Sequence, residues 1–203
     1  MIIAVDGPAA SGKGTIARAL ADHFGLPHLD TGLLYRAVGM AVLRHGGDPS
    51  SPSDAFAACD FSDAMLHDPE IRCEAASRSA SVVSAHPAVR AALLERQRDF
   101  AQQPGGAVLD GRDIGTVIAP HADAKLFVTA SSEIRAQRRH GDEPGHSFDA
   151  ILADILTRDA RDSGRTDAPL RQAEDADLLD TSDLTIDAAV QRAIVLVEAR
   201  QRR

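Results

Sequence analysis

The stretch IAVDGPAASGKGT at residues 3–15 restricts the fold more than any other part of the chain. An apolar run, Ile2 to Val5, ends in Asp6 and breaks into Gly7-Pro8-Ala9-Ala10-Ser11-Gly12-Lys13-Gly14-Thr15. Ile16, Ala17, Ala19, Leu20 and Phe24 then recur at helical spacing. This is a strand, a glycine loop and a helix N-terminus, a unit built for a parallel sheet. Gly7, four residues and Gly12-Lys13 form the phosphate-loop pattern. Small residues let backbone N–H groups turn inward onto a phosphate, the helix N-terminus adds partial positive charge, and Lys13 adds a full one. A glycine-rich turn with one exposed lysine is the plainer alternative, but strand, spacing, lysine and helix all stand in register. The pattern departs from its usual form in one place: Gly14 follows the lysine, and the hydroxyl comes at Thr15.

With 203 residues, the chain suffices for one sizeable core with small insertions. Its 44% hydrophobic and 26% charged residues fit an ordinary globular protein. A net charge of −8 argues against general binding to nucleic acid or an anionic membrane, so an anionic substrate needs a locally basic cleft. Lys13 and Lys125 are the only lysines, and one of them stands in the glycine loop. Cys59 and Cys73 lack zinc or redox spacing and read as free thiols of a reducing cytosol. His28, His86, His121, His140 and His146 show no metal-ligand spacing and read as surface residues, so no protein metal ligand is assigned. No leader pattern or apolar membrane span is visible, which predicts a cytoplasmic protein. Asparagine is absent, and with it the Asn-Lys-x-Asp element that reads guanine in GTPases.

A first helix is expected over roughly 13–23, a short strand at His28 to Thr31, and a helix from Gly32 closed by Gly46-Gly47. Residues 48–68 read as a proline- and serine-rich loop without a firm period, and 70–84 as a small-residue helix or an extended segment. An amphipathic helix over about 87–102 turns Val89, Leu93, Leu94 and Phe100 inward and its arginines outward. Strands are expected at 107–113, 125–130 and 176–181. Helices are capped by Ser131 or Ser132 and by Ser147, a mobile-looking loop spans Gly141 to His146, and a last helix starts near Ile186. Arg200, Arg202 and Arg203 suit the dipole at its end. Buried strands alternating with helices imply an α/β fold, a parallel sheet with helices on both faces. Asp110 ends the 107–113 run. It reads equally as an acid near Mg²⁺ through water and as a structural hydrogen-bond partner of the glycine loop.

Arg158, Arg161, Asp162 and Arg165 fall on one helical arc, where the plain reading is a solvated face with an Arg158–Asp162 ion pair. Arg112 and Asp113 lie just beyond a buried strand, a site position in such folds. Together with GPAASGKGT at 7–15, LDTGLLYR at 29–36, SVVSAHPAVR at 81–90, LDGRDIGTV at 109–117 and RDARDSGR at 158–165, these residues give the chain a nearly full-length resemblance to the bacterial cytidylate kinases. These are a branch of the nucleoside monophosphate kinases, which share the G-K-G-T form of the loop.

The resemblance implies a five-stranded parallel sheet of the P-loop class in a single kinase domain. Its core would cover about 1–50, 86–130 and 172–203, with an acceptor-binding segment within 51–85 and a lid within 131–171. It implies transfer of the γ-phosphoryl of ATP, with Mg²⁺, to CMP or dCMP by a protein taken as a monomer by default. Gly7, Pro8, Ala9, Ala10, Ser11, Gly12, Lys13, Gly14 and Thr15 would hold the phosphates of ATP. Thr31, Arg36, Arg112 and Arg165 would contact the acceptor around its phosphate; Thr31 stands where the family often has serine. Ser81, Arg90 and Asp113 would read cytosine, and Arg158 and Asp162 would reach the sugar. Arg161 would swing in with the lid toward the transferring group. The catalytic set so implied is Lys13, Arg112, Arg158, Arg161 and Arg165. A carboxylate accepts from the exocyclic amine of cytosine and repels the oxygen that uracil presents there. Segment 48–69 is shorter than the acceptor-side insertion of many members. The readings left beside this one are another small phosphate-loop kinase, for UMP or a metabolite, and a nucleotide switch without transfer chemistry.

Overall fold

A computed structural model describes residues 1–142 and 145–202, of residue 142 only the backbone. Glu143 and Pro144, in the expected 141–146 loop, and Arg203 lie outside the described residues. The chain forms two compact units, residues 1–29 with 100–203, and residues 30–99.

The first unit is organised on a five-stranded parallel sheet in the order β2-β3-β1-β4-β5. The strands are β1 (Ile2–Asp6), β2 (His28–Asp30), β3 (Ala107–Gly111), β4 (Ala124–Thr129) and β5 (Asp177–Asp180). β1 is central, pairing Ile3 with Val108 on one side and Val5 with Leu126 on the other. Side chains alternate across a strand, so β1 has two faces of different chemistry. Ile3 and Val5 join Ile16, Leu20, Val108, Leu126, Val128, Leu179, Ala193 and Val197 in one buried cluster. That cluster packs helices α1 (Lys13–Phe24) and α8 (Ile186–Gln201) onto the sheet. Ala4 and Asp6 point to the other face, and both are buried.

Helices α6 (Ser132–Asp142) and α7 (Phe148–Gly164) pack on each other through Ala136, Ile151 and Ile155. Ser131 caps α6 by accepting from the Ile134 N–H, and Ser147 caps α7 by accepting from Ala150. Lys125, buried within β4, reaches Asp175 at 2.8 Å and the Pro120 carbonyl at 2.6 Å.

The second unit holds α2 (Thr31–Arg44), α3 (Pro52–Ala57), α4 (Glu74–Val83) and most of α5 (Pro87–Gln102). Asp30 caps α2 by accepting from Gly32 at 2.9 Å. At its far end Gly47 donates to Val42 and Gly46 takes φ +70°, the expected glycine stop. Residues 48–68, read as a loop, contain α3, capped by Ser51, and a 3-10 turn at Asp63–His67; a second such turn follows at Pro69–Arg72. Residues 74–83 are helical, which settles the helix-or-extended alternative. Helices α2 and α4 meet closely at Gly39: a Cβ there would lie 2.9 Å from the Ala80 nitrogen.

Candidate active site

The phosphate loop leaves β1 at Gly7, where any Cβ would run into the Val128 carbonyl. Ala10 at φ +58° and Gly12 at φ +88° take left-handed backbone. Such alternation curls successive N–H groups into a concave anion nest. Gly12 caps α1, and having no side chain it makes no capping bond to the first N–H groups of that helix. Ser11 is fully buried, and its Oγ finds no partner among the described residues. Lys13 Nζ folds back 3.4 Å from the Pro8 carbonyl. A glycine-capped helix start, a hydroxyl buried without a partner among the described residues and a lysine over the loop together fit the phosphates of a nucleotide.

Beside the loop, a cavity of about 430 Å³ is lined by Gly12, Thr15, Arg138, Arg139, Thr181 and Ile186, among others. Arg138 donates to the Thr181 carbonyl at 2.7 Å, and Thr181 Oγ1 lies 3.1 Å from the Ser11 carbonyl. Arg135, 4% exposed, donates to the Ala9 carbonyl at 3.2 Å and grips Asp159 of α7 at 2.5 and 3.0 Å. These three arginines went unread in the sequence. Their spacing of three and four residues, which places them side by side on α6, was the available signal.

Asp110, at the end of β3, bonds His28 Nε2 at 2.8 Å through Oδ1. Its Oδ2 lies 3.7 Å from where a Cβ on Gly14 would stand. His28 is therefore no surface histidine, and the acid has a partner that neither sequence reading named. Asp6 accepts from the N–H groups of Ile114 and Gly115, both at 2.8 Å. Those residues open a single wide turn, Ile114–Ile118, directly after Arg112 and Asp113. Burial outweighs the two hydrogen bonds and the Arg112 charge, and pushes the Asp6 carboxyl up to about 7.

Arg112 Nε reaches Asp162 Oδ2 at 2.7 Å, linking the end of β3 to α7. Arg165 Nε and the Leu170 N–H donate to the Asp162 carbonyl, at 3.3 and 2.8 Å. Asp162 takes its direct side-chain bond from Arg112, and Arg158 acts on it through its charge. Arg158 stands 4.0 Å from Asp154, while Asp162 turns to Arg112, fifty positions away in sequence. Arg165 lies just past the helix as its C-cap, and Arg161 sits half-buried in the last turn. Burial tends to raise the Asp162 carboxyl, yet Arg112, Arg165 and Arg158 hold it below its usual range. Arg158 is lowered to about 10, by burial and then by the Arg112 charge. Asp113 is buried beside this cluster.

In the second unit Thr31 is buried at the start of α2. One turn on, Arg36 spreads its guanidinium over the Ile71 carbonyl at 3.3 Å and Ser77 Oγ at 3.2 Å. Ser81 and Arg90 are both buried, against the expectation that the α5 arginines face outward. The Arg90 guanidinium stacks 5.8 Å from the Tyr35 ring centre.

Comparison with known proteins agrees with this arrangement. Residues 3–199 match the family model described as cytidylate kinase. A cytidylate kinase of Xanthobacter autotrophicus is 57% identical, the match covering 99% of each chain. One from Granulibacter bethesdensis is 56% identical over 98% of each. Among solved structures, an uncharacterized protein from Eubacterium ventriosum has TM-score 0.61 at 16% identity, covering 98% of each chain. A gluconokinase from Sinorhizobium meliloti has TM-score 0.55 at 16% identity, covering 98% of this chain and 91% of its own. Those two likenesses concern the fold alone. A phosphate loop on a parallel five-stranded sheet, an arginine cluster on α7 and a match over nearly the whole length lead to one assignment: the chain belongs to the cytidylate kinase family.

Proposed function

We propose that this chain transfers the γ-phosphoryl group of ATP to CMP and dCMP, giving the diphosphates and ADP, with the residue roles that follow. The carrying observation is that one unit holds both an anion nest with Lys13 and, tied to it through Arg135, a helix bearing a second cationic cluster. A nucleotide switch has no use for that second cluster.

The loop 7–15 holds the ATP phosphates, and the cavity beside Arg138 and Arg139 takes the rest of that nucleotide. Arg112, Arg158, Arg161 and Arg165 carry charge for the transferring group. In the second unit Thr31 and Arg36 serve the acceptor phosphate. For reading cytosine the second unit offers Ser81 and Arg90, and the first unit offers Asp113. Arg158 and Asp162 serve the sugar. Segment 51–85 acts as the acceptor-binding part and 131–171 as the lid.

Two anions must approach in line, and fixed arginine forks offset their repulsion and stabilise the spread charge of a loose transition state. The acceptor phosphate is already anionic, so no strong general base is required. Mg²⁺, arriving with ATP, would neutralise charge on the phosphates. Asp110, held by His28 and lying against Gly14, would hold a water of its shell. Closing the lid would exclude water and with it ATP hydrolysis.

ADP formation from MgATP is measured with CMP, dCMP, UMP and AMP in parallel and with no acceptor. Fast turnover with the cytidine nucleotides alone is the expected result. Turnover without an acceptor, or equal turnover with all four, would overturn the reading.

A further inference from the structure

The Asp6 carboxylate is one of the most deeply buried charges of the first unit, and nothing in the phosphoryl-transfer chemistry uses it. It is 5% exposed and lies at the very end of β1, on the face opposite the α1–α8 core. Both its oxygens are committed: Oδ1 accepts from Ile114 N–H and Oδ2 from Gly115 N–H, each at 2.8 Å. The turn they hold is not an ordinary helical turn. Ile118 N–H bonds the Asp113 carbonyl at 3.2 Å, and Ala119 N–H bonds the Ile114 carbonyl at 2.7 Å, both across five residues. A turn of that width is rare, and such turns are frequent at functional sites. Asp113 immediately before it has φ −145° and ψ 23°, neither helix nor strand.

The remaining contacts point the same way. A Cβ on Gly115 would stand 3.3 Å from Asp6 Oδ2 and 3.1 Å from Lys125 Cδ. The turn is thus pressed between the carboxylate and the lysine stem of β4, whose own ammonium is committed to Asp175 and the Pro120 carbonyl. Asp6 is also where β1 passes into the phosphate loop, since Gly7 N–H bonds the Gly111 carbonyl at 3.3 Å.

We propose that Asp6 is a positioning residue for acceptor recognition: its carboxylate fixes the Ile114–Gly115 turn and so sets the direction of Arg112 and Asp113. The proposal rests on the roles given above to those two residues. Asp6 touches no substrate. Its effect falls on the acceptor and spares the donor, although it adjoins the donor loop in sequence.

Asp6→Asn keeps the shape and replaces one accepting oxygen by an amide that cannot accept from an N–H group. The measurement is KM for CMP, KM for ATP, and the kcat/KM ratio of CMP over UMP, with the Tm recorded beside them. The expected result is a roughly tenfold or greater rise in KM for CMP and a fall in the CMP-to-UMP ratio, as for loss of a hydrogen bond to a charged group. KM for ATP stays within about twofold of its starting value on the same argument. Equal rises in both KM values, or an unchanged KM for CMP, would overturn the proposal. Should Asp6→Asn fail to fold, Gly115→Ala crowds the same carboxylate from the other side and is held to the same outcomes.

Asp113→Asn separates this proposal from the base-reading role. If it leaves selectivity intact, the base reading falls. The Asp6 proposal is then decided by Arg112 alone, through the split between the two KM values.

Discussion

Lys13 is the residue whose removal has the plainest chemical meaning. It stands at the start of α1 over the loop, and in the proposed mechanism its ammonium supplies the full positive charge beside the transferring group. Lys13→Ala is expected to lower kcat by orders of magnitude while the fold persists; near-normal kcat would remove the assigned role. Asp6 makes a different prediction, about stability and pH. Its folded carboxyl is raised to about 7 from 3.8, so between those values the native state holds a proton that the unfolded chain has released. Its contribution to stability is then fully present below about pH 4 and is lost as pH rises through about 7. The difference in unfolding free energy between wild type and Asp6→Asn should therefore shrink from pH 5 to pH 8, in urea titrations at fixed salt. A difference that grows with pH would mean that the two N–H bonds, and not burial, govern this carboxyl.

At the level of elements, Asp162 is the joint between β3 and α7. Asp162→Ala removes a carboxylate that Arg112 bonds and that Arg165 and Arg158 attract, so the repulsion among these arginines rises. A loss of about 3–5 kcal/mol is expected for a buried pair broken on one side, together with a higher KM for the acceptor; thermal unfolding and steady-state kinetics read the two. In the second unit, Gly39→Val would force α2 off α4, since even a Cβ there meets the Ala80 nitrogen at 2.9 Å. About 1–3 kcal/mol of destabilisation is expected from overpacking, and a folded variant with unchanged Tm would show that the helices tolerate separation. The long elements were legible in the sequence because their apolar period and caps agree: α5 starts at Pro87 and runs to Gln102, as the pattern requires. Residues 48–72 were not, because their short helical turns bury only Ala55 and Ile71 and so write no period. The glycine loop was legible because its backbone requirements exclude most residue types. The pairing on α7 was not, because local spacing favours Asp162 with Arg158 whereas the fold supplies Arg112 from β3. His28 and Asp6 escaped for the same reason, each having its partner more than eighty residues away.

Across the whole molecule, binding and stability are linked. If the nucleotides bind the native state and not the unfolded chain, saturating CMP and ATP analogue should each raise Tm, by about 2.7 kcal/mol of stabilisation at a hundred times Kd. Lack of any shift with CMP at millimolar concentration would contradict the acceptor role. The place of β1 in the sheet has a consequence for how the protein comes into being. Its centre strand is made first, yet the residues that flank it, Ala107–Gly111 and Ala124–Phe127, follow about a hundred positions later. At about 5–20 residues per second, a ribosome leaves the Ile2–Val5 run without either neighbour for several seconds. The phosphate loop, whose shape depends on Gly7 meeting Gly111, cannot take form in that interval. During synthesis, then, the nucleotide site of this protein arrives late, only after more than half of the chain has been made.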